Sequence, residues 1–144
     1  MILKDIQELW AVDAKIDKYN LTEESLKIPM LHSKYYEIYM TEKNLLNRET
    51  EKFKNFLLAK TYWYSGKLGK EELQNLGLKQ FVPTLLKGDI PIVVDADDEI
   101  IDKRLKIAEQ NDKVEFVKSI LQNINQRTYV IKNALENTRF EAGG

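Results

Sequence analysis

The sequence contains no cysteine and a single histidine, His32, among its 144 residues. Without cysteine there is no disulfide framework and no thiolate site, and the composition is consistent with a reducing compartment. With one histidine and no cysteine, the sequence gives no confident Ser–His or Cys–His nucleophile pair. The same counts nearly exclude a zinc site, because zinc is bound mainly by cysteine and histidine. We therefore expect a protein that is not an enzyme and that uses no cofactor and no metal ion.

Long apolar runs are also absent, and no stretch approaches the ~20 residues that a membrane-spanning helix needs. The N-terminal sequence, MILKDIQELW, is acidic within its first residues and lacks the long apolar core of a signal peptide. We therefore expect no membrane association and a cytoplasmic location.

Neither sign of charge is in excess, because 22 lysines and arginines face 23 acids and the net charge is −1. A protein that bound nucleic acid over its whole surface would be basic, so such binding would need a local patch, or patches summed in an oligomer. The length is that of one ordinary domain, and a hydrophobic content of 43% suffices for a core.

Glycine and proline are scarce, with six and three residues, which leaves room for long helices. Apolar residues recur at helical spacing over residues 30–65 and again over residues 98–138, and each stretch predicts a long helix. The first of these helices carries polar residues on its apolar face, which is typical of a helix that packs against other chains. A shorter amphipathic helix is predicted over residues 2–16.

Residues with capping chemistry stand near the predicted helix ends. Thr22 is a candidate N-cap for a helical segment that follows the first helix. Gly66 should end the first long helix, because glycine readily adopts the left-handed conformation of a C-cap. The acidic sequence DADDE at 95–99 should begin the second long helix, with Asp95 or Asp97 as its N-cap.

Residues 81–95, FVPTLLKGDIPIVVD, interrupt the helical pattern. Two prolines, a glycine and a run of isoleucine and valine predict extended chain there, as an edge strand or a hairpin arm. The predicted fold is therefore mainly α, with two long helices, an N-terminal helix and a short irregular or extended middle segment, in an elongated, oligomeric assembly. The expected organisation is one elongated domain over 1–144, with N-terminal helices in 1–80, a connector in 81–97, and a C-terminal helix and tail in 98–144.

The second long helix carries a heptad seam, in which apolar positions alternate between spacings of three and four. We predict oligomerisation through Val114, Val117, Leu121, Ile124, Thr128, Ile131 and Leu135. An intramolecular bundle would show the same pattern, and the apolar spacing alone does not choose between the two arrangements.

Residues 52–70, KFKNFLLAKTYWYSGKLGK, form a basic stretch with five lysines, five aromatic residues and no acid. Lysines neutralise phosphates, and aromatic faces accept unstacked bases with little regard to sequence. The candidate nucleic-acid-binding residues are Lys52, Lys54, Lys60, Tyr62, Tyr64, Lys67 and Lys70. Trp63 continues the apolar stripe and is expected in the core. On composition alone, a solvated lysine face with core aromatics is the commoner outcome.

The acids between Asp95 and Asp102 offer a third interpretation, a metal-dependent nuclease whose carboxylates hold magnesium. Capping and charge-matching the helix that begins there is the simpler explanation. A phosphate-binding loop is not indicated, because Leu68 follows Gly66-Lys67 where such a loop needs serine or threonine.

Three short motifs recur in order along the chain. They are MLHSK at 30–34, AK at 59–60 with YSGK at 64–67, and IK at 131–132 with FEAG at 140–143. In these motifs, in the spacing between them and in chain length, the sequence resembles the UvsY family of recombination mediators from large tailed phages. The resemblance extends over the whole sequence.

The resemblance implies a non-enzymatic protein that binds single-stranded DNA as a ring-like homo-oligomer of six or seven subunits. It also implies partners: a phage recombinase, which the protein would load onto DNA coated by single-strand-binding protein, in the cytoplasm of an infected bacterium. The family's basic DNA-contacting motif falls on the second half of the first long helix, where Lys54 and Lys60 keep the basic character and Leu58 departs from it. We expect the acidic start of the last helix to face away from DNA or towards a basic partner. The alternative is a helical scaffold or adaptor that assembles through the heptad seam without binding DNA.

Overall fold

The computed structural model describes residues 1–143, and within them all regular structure is α-helical. The helices are α1 (Leu3–Asp13), α2 (Leu21–Leu26), α3 (Ile28–Tyr64), α4 (Lys70–Leu76), α5 (Ile90–Asp95) and α6 (Asp98–Glu141). The predicted fold class, mainly α with two long helices and an N-terminal helix, is confirmed. None of the helices in the described part of the chain is both long enough and apolar enough to cross a membrane.

Helix α3 ends as its sequence predicts. Gly66 has a φ of +71°, in the left-handed region that favours glycine. Its N–H donates to the carbonyl of Trp63, and the N–H of Lys67 donates to the carbonyl of Tyr62. These two bonds form a Schellman motif, which satisfies carbonyls at the helix end and stops the helix.

Two local predictions are wrong. Residues 90–95 form helix α5 and not an extended strand, and Pro91 lies in its first turn. Proline suits that position because its missing N–H would have no partner there, and an apolar run this short does not separate strand from helix. Thr22 lies inside α2, whose N-cap is Asn20. The irregular character of residues 81–89 is confirmed.

Contacts within the chain group the helices into two compact units. The first unit joins Met1–Asn44 with the chain from Asn111 onward, and the second unit is Leu45–Gln110. The buried core of the first unit consists of Ile6, Leu31, Tyr35, Val117, Ile120 and Ile124. Half of these residues come from α6, so that helix contributes to a hydrophobic core inside the chain.

Two buried charged side chains of the first unit have partners inside it. Glu42, a polar residue on the apolar face of α3, is 5% exposed, and a carboxylate oxygen lies 3.3 Å from Lys113 Nζ. Arg127 is 2% exposed and donates to the carbonyls of Asp13 and Ala14, at 2.9 and 3.0 Å. Since the carbonyls at the end of α1 lack helical partners, this cation stabilises the helix end. The polar residue on α3 is therefore paired within the chain.

Candidate nucleic-acid interface

Four lysines of the basic stretch are exposed. Lys52 and Lys54 lie on α3, and Lys67 and Lys70 lie in the turn and at the start of α4 that follow it. Lys52 Nζ is 3.6 Å from Glu49 and Lys54 Nζ is 3.0 Å from Glu51, in pairs whose side chains are largely exposed. Such surface pairs contribute little free energy, so these ammonium groups can exchange a carboxylate for a phosphate.

Lys60 does not share this exposure, because only 3% of its surface is open to solvent. Its Nζ lies 3.1 Å from Asp97 Oδ2 and 3.2 Å from Glu99 Oε1, and 4.9 Å from the centroid of the Trp63 ring. An ammonium enclosed by two carboxylates and an aromatic face is not presented to a polyanion. The predicted phosphate contact of Lys60 therefore does not fit its position, and Lys60 has an internal role in this fold.

The aromatic residues of the basic stretch also differ in whether they pack inside the fold or face solvent. The Tyr64 hydroxyl donates to Asp97 Oδ2 at 2.6 Å, and its ring packs edge-on against Trp63 and Phe81. The indole N–H of Trp63 donates to the carbonyl of Lys79 at 2.6 Å. Trp63 is therefore engaged in packing as expected, and Tyr64, predicted to contact nucleic acid, is engaged there too. Tyr62 is 43% exposed and keeps an open ring.

Asp97 joins this internal network to the start of α6. Its Oδ1 accepts the N–H of Ile100 at 3.1 Å, which is N-cap geometry, so the predicted capping role is confirmed for Asp97. Its Oδ2 accepts from Lys60 and Tyr64. Asp97 and Glu99 thus hold Lys60 of the basic stretch. The expectation that the acidic start of α6 faces away from DNA or towards a basic partner stays a prediction.

Two further acids near the start of α6 have basic partners. Asp95 lies 2.7 Å from Arg104, and Asp102 lies 3.1 Å from Lys106. Within the described residues, no group of three histidine, aspartate or glutamate side chains is placed to hold a metal ion.

The network fixes the charge states of its two acidic groups. Burial alone would raise the pKa of Asp97, but hydrogen bonds from Tyr64, the Ile100 N–H and Lys60 outweigh it and lower that pKa below its usual value. Burial and the hydrogen bond to Asp97 raise the pKa of Tyr64 to about 12. Asp97 is therefore an anion that accepts, and Tyr64 a neutral phenol that donates, throughout the neutral range.

Folding stability is expected to fall at both ends of the pH scale. A lowered carboxyl pKa stabilises the fold above the unfolded pKa of about 4, and this contribution is lost as the pH falls through the folded pKa. The raised pKa of Tyr64 stabilises the fold below about pH 10, and this contribution disappears between the unfolded value and about 12. Urea denaturation from acid to alkaline pH should show both losses. Asp97→Asn should reduce the loss of stability at both acidic and alkaline pH. If the dependence of stability on pH is the same in this variant as in the wild-type protein, the charge states assigned to Asp97 and Tyr64 are contradicted.

The residues of the predicted heptad seam differ in their exposure to solvent. Val114, Val117, Ile124 and Ile131 are at most 3% exposed, and Val117 and Ile124 belong to the core of the first unit. These positions already pack within the chain, so they are not open to a second copy. Leu121 packs partly against the same core. Thr128 is exposed and Leu135 is 47% exposed, so only these two seam positions face solvent.

Two residues, Lys60 and Arg127, have internal roles that were not predicted, and the sequence contained a signal for the first of them. Lys60 follows Phe53 by seven positions and Phe56 by four, so a helical pattern places it on the apolar face, where a charge needs an internal partner. Arg127 gave no such signal, because its partners are backbone carbonyls more than a hundred residues away.

Known proteins resemble this chain along nearly its whole length. Residues 9–144 match the family described as recombination, repair and ssDNA binding protein UvsY. Crystal structures of the recombination mediator protein UvsY of bacteriophage T4 are similar in fold. Lattice type II is 25% identical with a TM-score of 0.84, and the similarity covers 99% of this chain and 98% of that one. Lattice type IV is 23% identical with a TM-score of 0.83, and the similarity covers 97% of this chain and 99% of that one. Lattice type I is 24% identical with a TM-score of 0.81, and the similarity covers 95% of this chain and 98% of that one.

No curated protein matches the sequence. The family match includes the three motifs on which the resemblance was based, at 30–34, 59–67 and 131–143. The predicted family is therefore confirmed. The chain belongs to the UvsY family of recombination, repair and single-stranded-DNA-binding proteins.

Proposed function

We propose that this protein is a recombination mediator that binds single-stranded DNA as a ring-like homo-oligomer and loads a phage recombinase onto DNA coated by single-strand-binding protein. The observation that carries the proposal is the similarity to the T4 recombination mediator over 99% of the chain, at 25% identity and a TM-score of 0.84. A role in recombination, repair and single-stranded DNA binding comes with family membership.

The DNA contacts we propose are the exposed members of the basic stretch. Lys52, Lys54, Lys67 and Lys70 would neutralise phosphates, and the open ring of Tyr62 would stack on a base. With a net charge of −1, a single chain is a weak ligand for a polyanion. Six or seven copies would add their patches on one strand, and such multivalency raises the overall affinity without any new contact.

The test of this function has two stages. Sedimentation should give the mass of a closed oligomer, and a single-stranded oligonucleotide should bind to it with an affinity that falls as salt rises. The protein should then speed assembly of a recombinase on DNA coated by single-strand-binding protein, measured by DNA-dependent ATP hydrolysis. A scaffold or adaptor would form the oligomer and bind no DNA at any salt concentration, and that result would overturn the proposal.

The oligomer is expected to use the exposed side of α6 near its C-terminal end. Leu135 lies there at 47% exposure, and the nearby Tyr129, Val130 and Phe140 are more than half exposed. Leu135→Asp would place a charge in an apolar contact, at a cost of a few kcal/mol per site, so smaller species should appear in sedimentation. Helical content should stay unchanged.

Ile124→Asp is the matched control for this substitution. Ile124 is 0% exposed in the core of the first unit, so its replacement should unfold that unit before it alters assembly. A Leu135→Asp variant that sediments at full mass would refute the placement of the oligomer contact.

A further inference from the structure

A groove in the second unit has the composition of a ligand site and lies beside the basic stretch. It has a volume of about 440 Å³ and is bounded by α3 and α6. Leu45, Phe53 and Ile107 supply apolar surface, and Lys52, Lys103 and Lys106 supply positive charge. Glu49 is the acid among the lining residues, and Gln110 completes the lining.

The positive charge of this groove is available to a ligand. Lys52 and Lys106 form ion pairs with Glu49 and Asp102, at 3.6 and 3.1 Å, whose side chains are at least 45% exposed. Exposed pairs of this kind are held weakly. Lys103 has no carboxylate within ion-pair distance among the described residues, and its Nζ lies 4.7 Å from the centroid of the Phe56 ring. Three cations against one lining acid favour an anionic occupant.

The apolar surface narrows the choice of anion. A free phosphate would use the lysines and leave the aromatic and aliphatic surface uncovered. A single-stranded nucleic acid offers both parts, because its phosphates repeat along the chain and its unstacked bases present flat faces. Lys52 belongs to both the groove and the basic stretch, so one strand can continue from the proposed contacts on α3 into the groove.

We propose that this groove is a second part of the single-stranded DNA site, where Lys103 and Lys106 contact phosphates and a base lies against Phe53. The inference rests on the proposed function and adds residues of α6 to it. Neither lysine stood out in the sequence, because the adjacent Asp102 and the interspersed polar residues make the segment look like an ordinary solvated face.

The charge test uses Lys103→Ala combined with Lys106→Ala in the full-length protein, with oligo(dT) as the probe. Each lost phosphate contact should reduce the salt slope by about 0.7, so the double variant should lose about 1.4 and bind roughly 25-fold more weakly at 0.1 M salt. Lys103→Arg with Lys106→Arg should keep the slope. Lys118→Ala, which removes an exposed lysine of α6 in the first unit, should leave it nearly unchanged.

The stacking test does not depend on any variant remaining folded. Oligo(dT) carrying 5-iodouracil should, on irradiation, cross-link wild-type protein at Phe53, as read from the modified peptide by mass spectrometry. Cross-links found only outside the groove, for example at Tyr62, would contradict DNA binding in the groove and would not affect the proposed function.

The outcomes separate the two proposals. If wild-type protein binds oligo(dT) and the double alanine variant keeps the wild-type affinity and salt slope, the groove is excluded as a DNA contact. The proposed single-stranded DNA binding by the protein then still holds. If wild-type protein binds no single strand, the proposed function fails and the groove fails with it. Binding of an acidic peptide in place of oligo(dT) would also overturn the assignment, since the groove would then be a protein-docking site.

Discussion

Replacing Lys60 by methionine is expected to destabilise the protein by about 3–5 kcal/mol, one of the largest effects of any single substitution in this chain. Methionine keeps the aliphatic bulk and removes the charge, so Asp97 is left buried with a carboxylate that has lost its cation. A buried, uncompensated charge costs far more than the ion pair contributes. Urea denaturation at neutral pH measures the loss directly.

Lys54→Met is the matched control, because Lys54 also lies on α3 and forms an ion pair, with Glu51, whose side chains are 65% and 70% exposed. This surface pair should contribute less than about 1 kcal/mol. The combination of Lys60→Met with Asp97→Asn should be more stable than Lys60→Met alone, because it removes both charges of the pair.

The same variant decides between the two roles of Lys60. An internal role predicts lower stability and, for the folded protein, an unchanged salt slope of DNA binding. A phosphate contact predicts the reverse: nearly unchanged stability and a slope reduced by about 0.7. The second pattern would contradict the network of Lys60, Asp97 and Tyr64 as described.

The long helices could be predicted from the sequence because their signals are local. Helical spacing of apolar residues continues without interruption over most of α3 and α6, and Gly66 and Asp97 mark an end and a start by their own chemistry. Helix α5 was missed for an equally local reason. Its sequence, IPIVVD, has β-branched residues and a proline but spans fewer than two turns, too short for a period to appear.

The pairing of charges could not be predicted, because it depends on which distant residues the fold brings together. The lysines of the basic stretch look alike in the sequence, yet Lys60 meets Asp97 across 37 positions whereas Lys54 meets a neighbour three positions away. Which seam residues pack within the chain could not be predicted for the same reason. Val117 and Ile124 carry a pattern that fits either a second chain or a core within the chain, and only tertiary contacts select the core.

The largest effect on function is expected from removing four charges together. Lys52→Ala, Lys54→Ala, Lys67→Ala and Lys70→Ala, combined in one variant, should reduce the salt slope of single-strand binding by about 2.8 per fully engaged subunit. At 0.1 M salt this corresponds to a roughly 600-fold loss of affinity per engaged subunit. The side chains are exposed, and their known ion pairs are surface pairs, so the fold should be retained. Fluorescence anisotropy of labelled oligo(dT) over a salt series gives both quantities.

A second variant with the same change in net charge tests whether position matters. It carries alanine at four exposed lysines of the first unit, Lys4, Lys15, Lys18 and Lys118. If the basic stretch forms specific phosphate contacts, this variant should keep most of the wild-type slope, because lysines outside the contact do not release counterions on binding. Equal losses from the two variants would mean that DNA responds only to overall charge. The basic stretch would then be a solvated face and the DNA contacts would have to lie elsewhere on the protein.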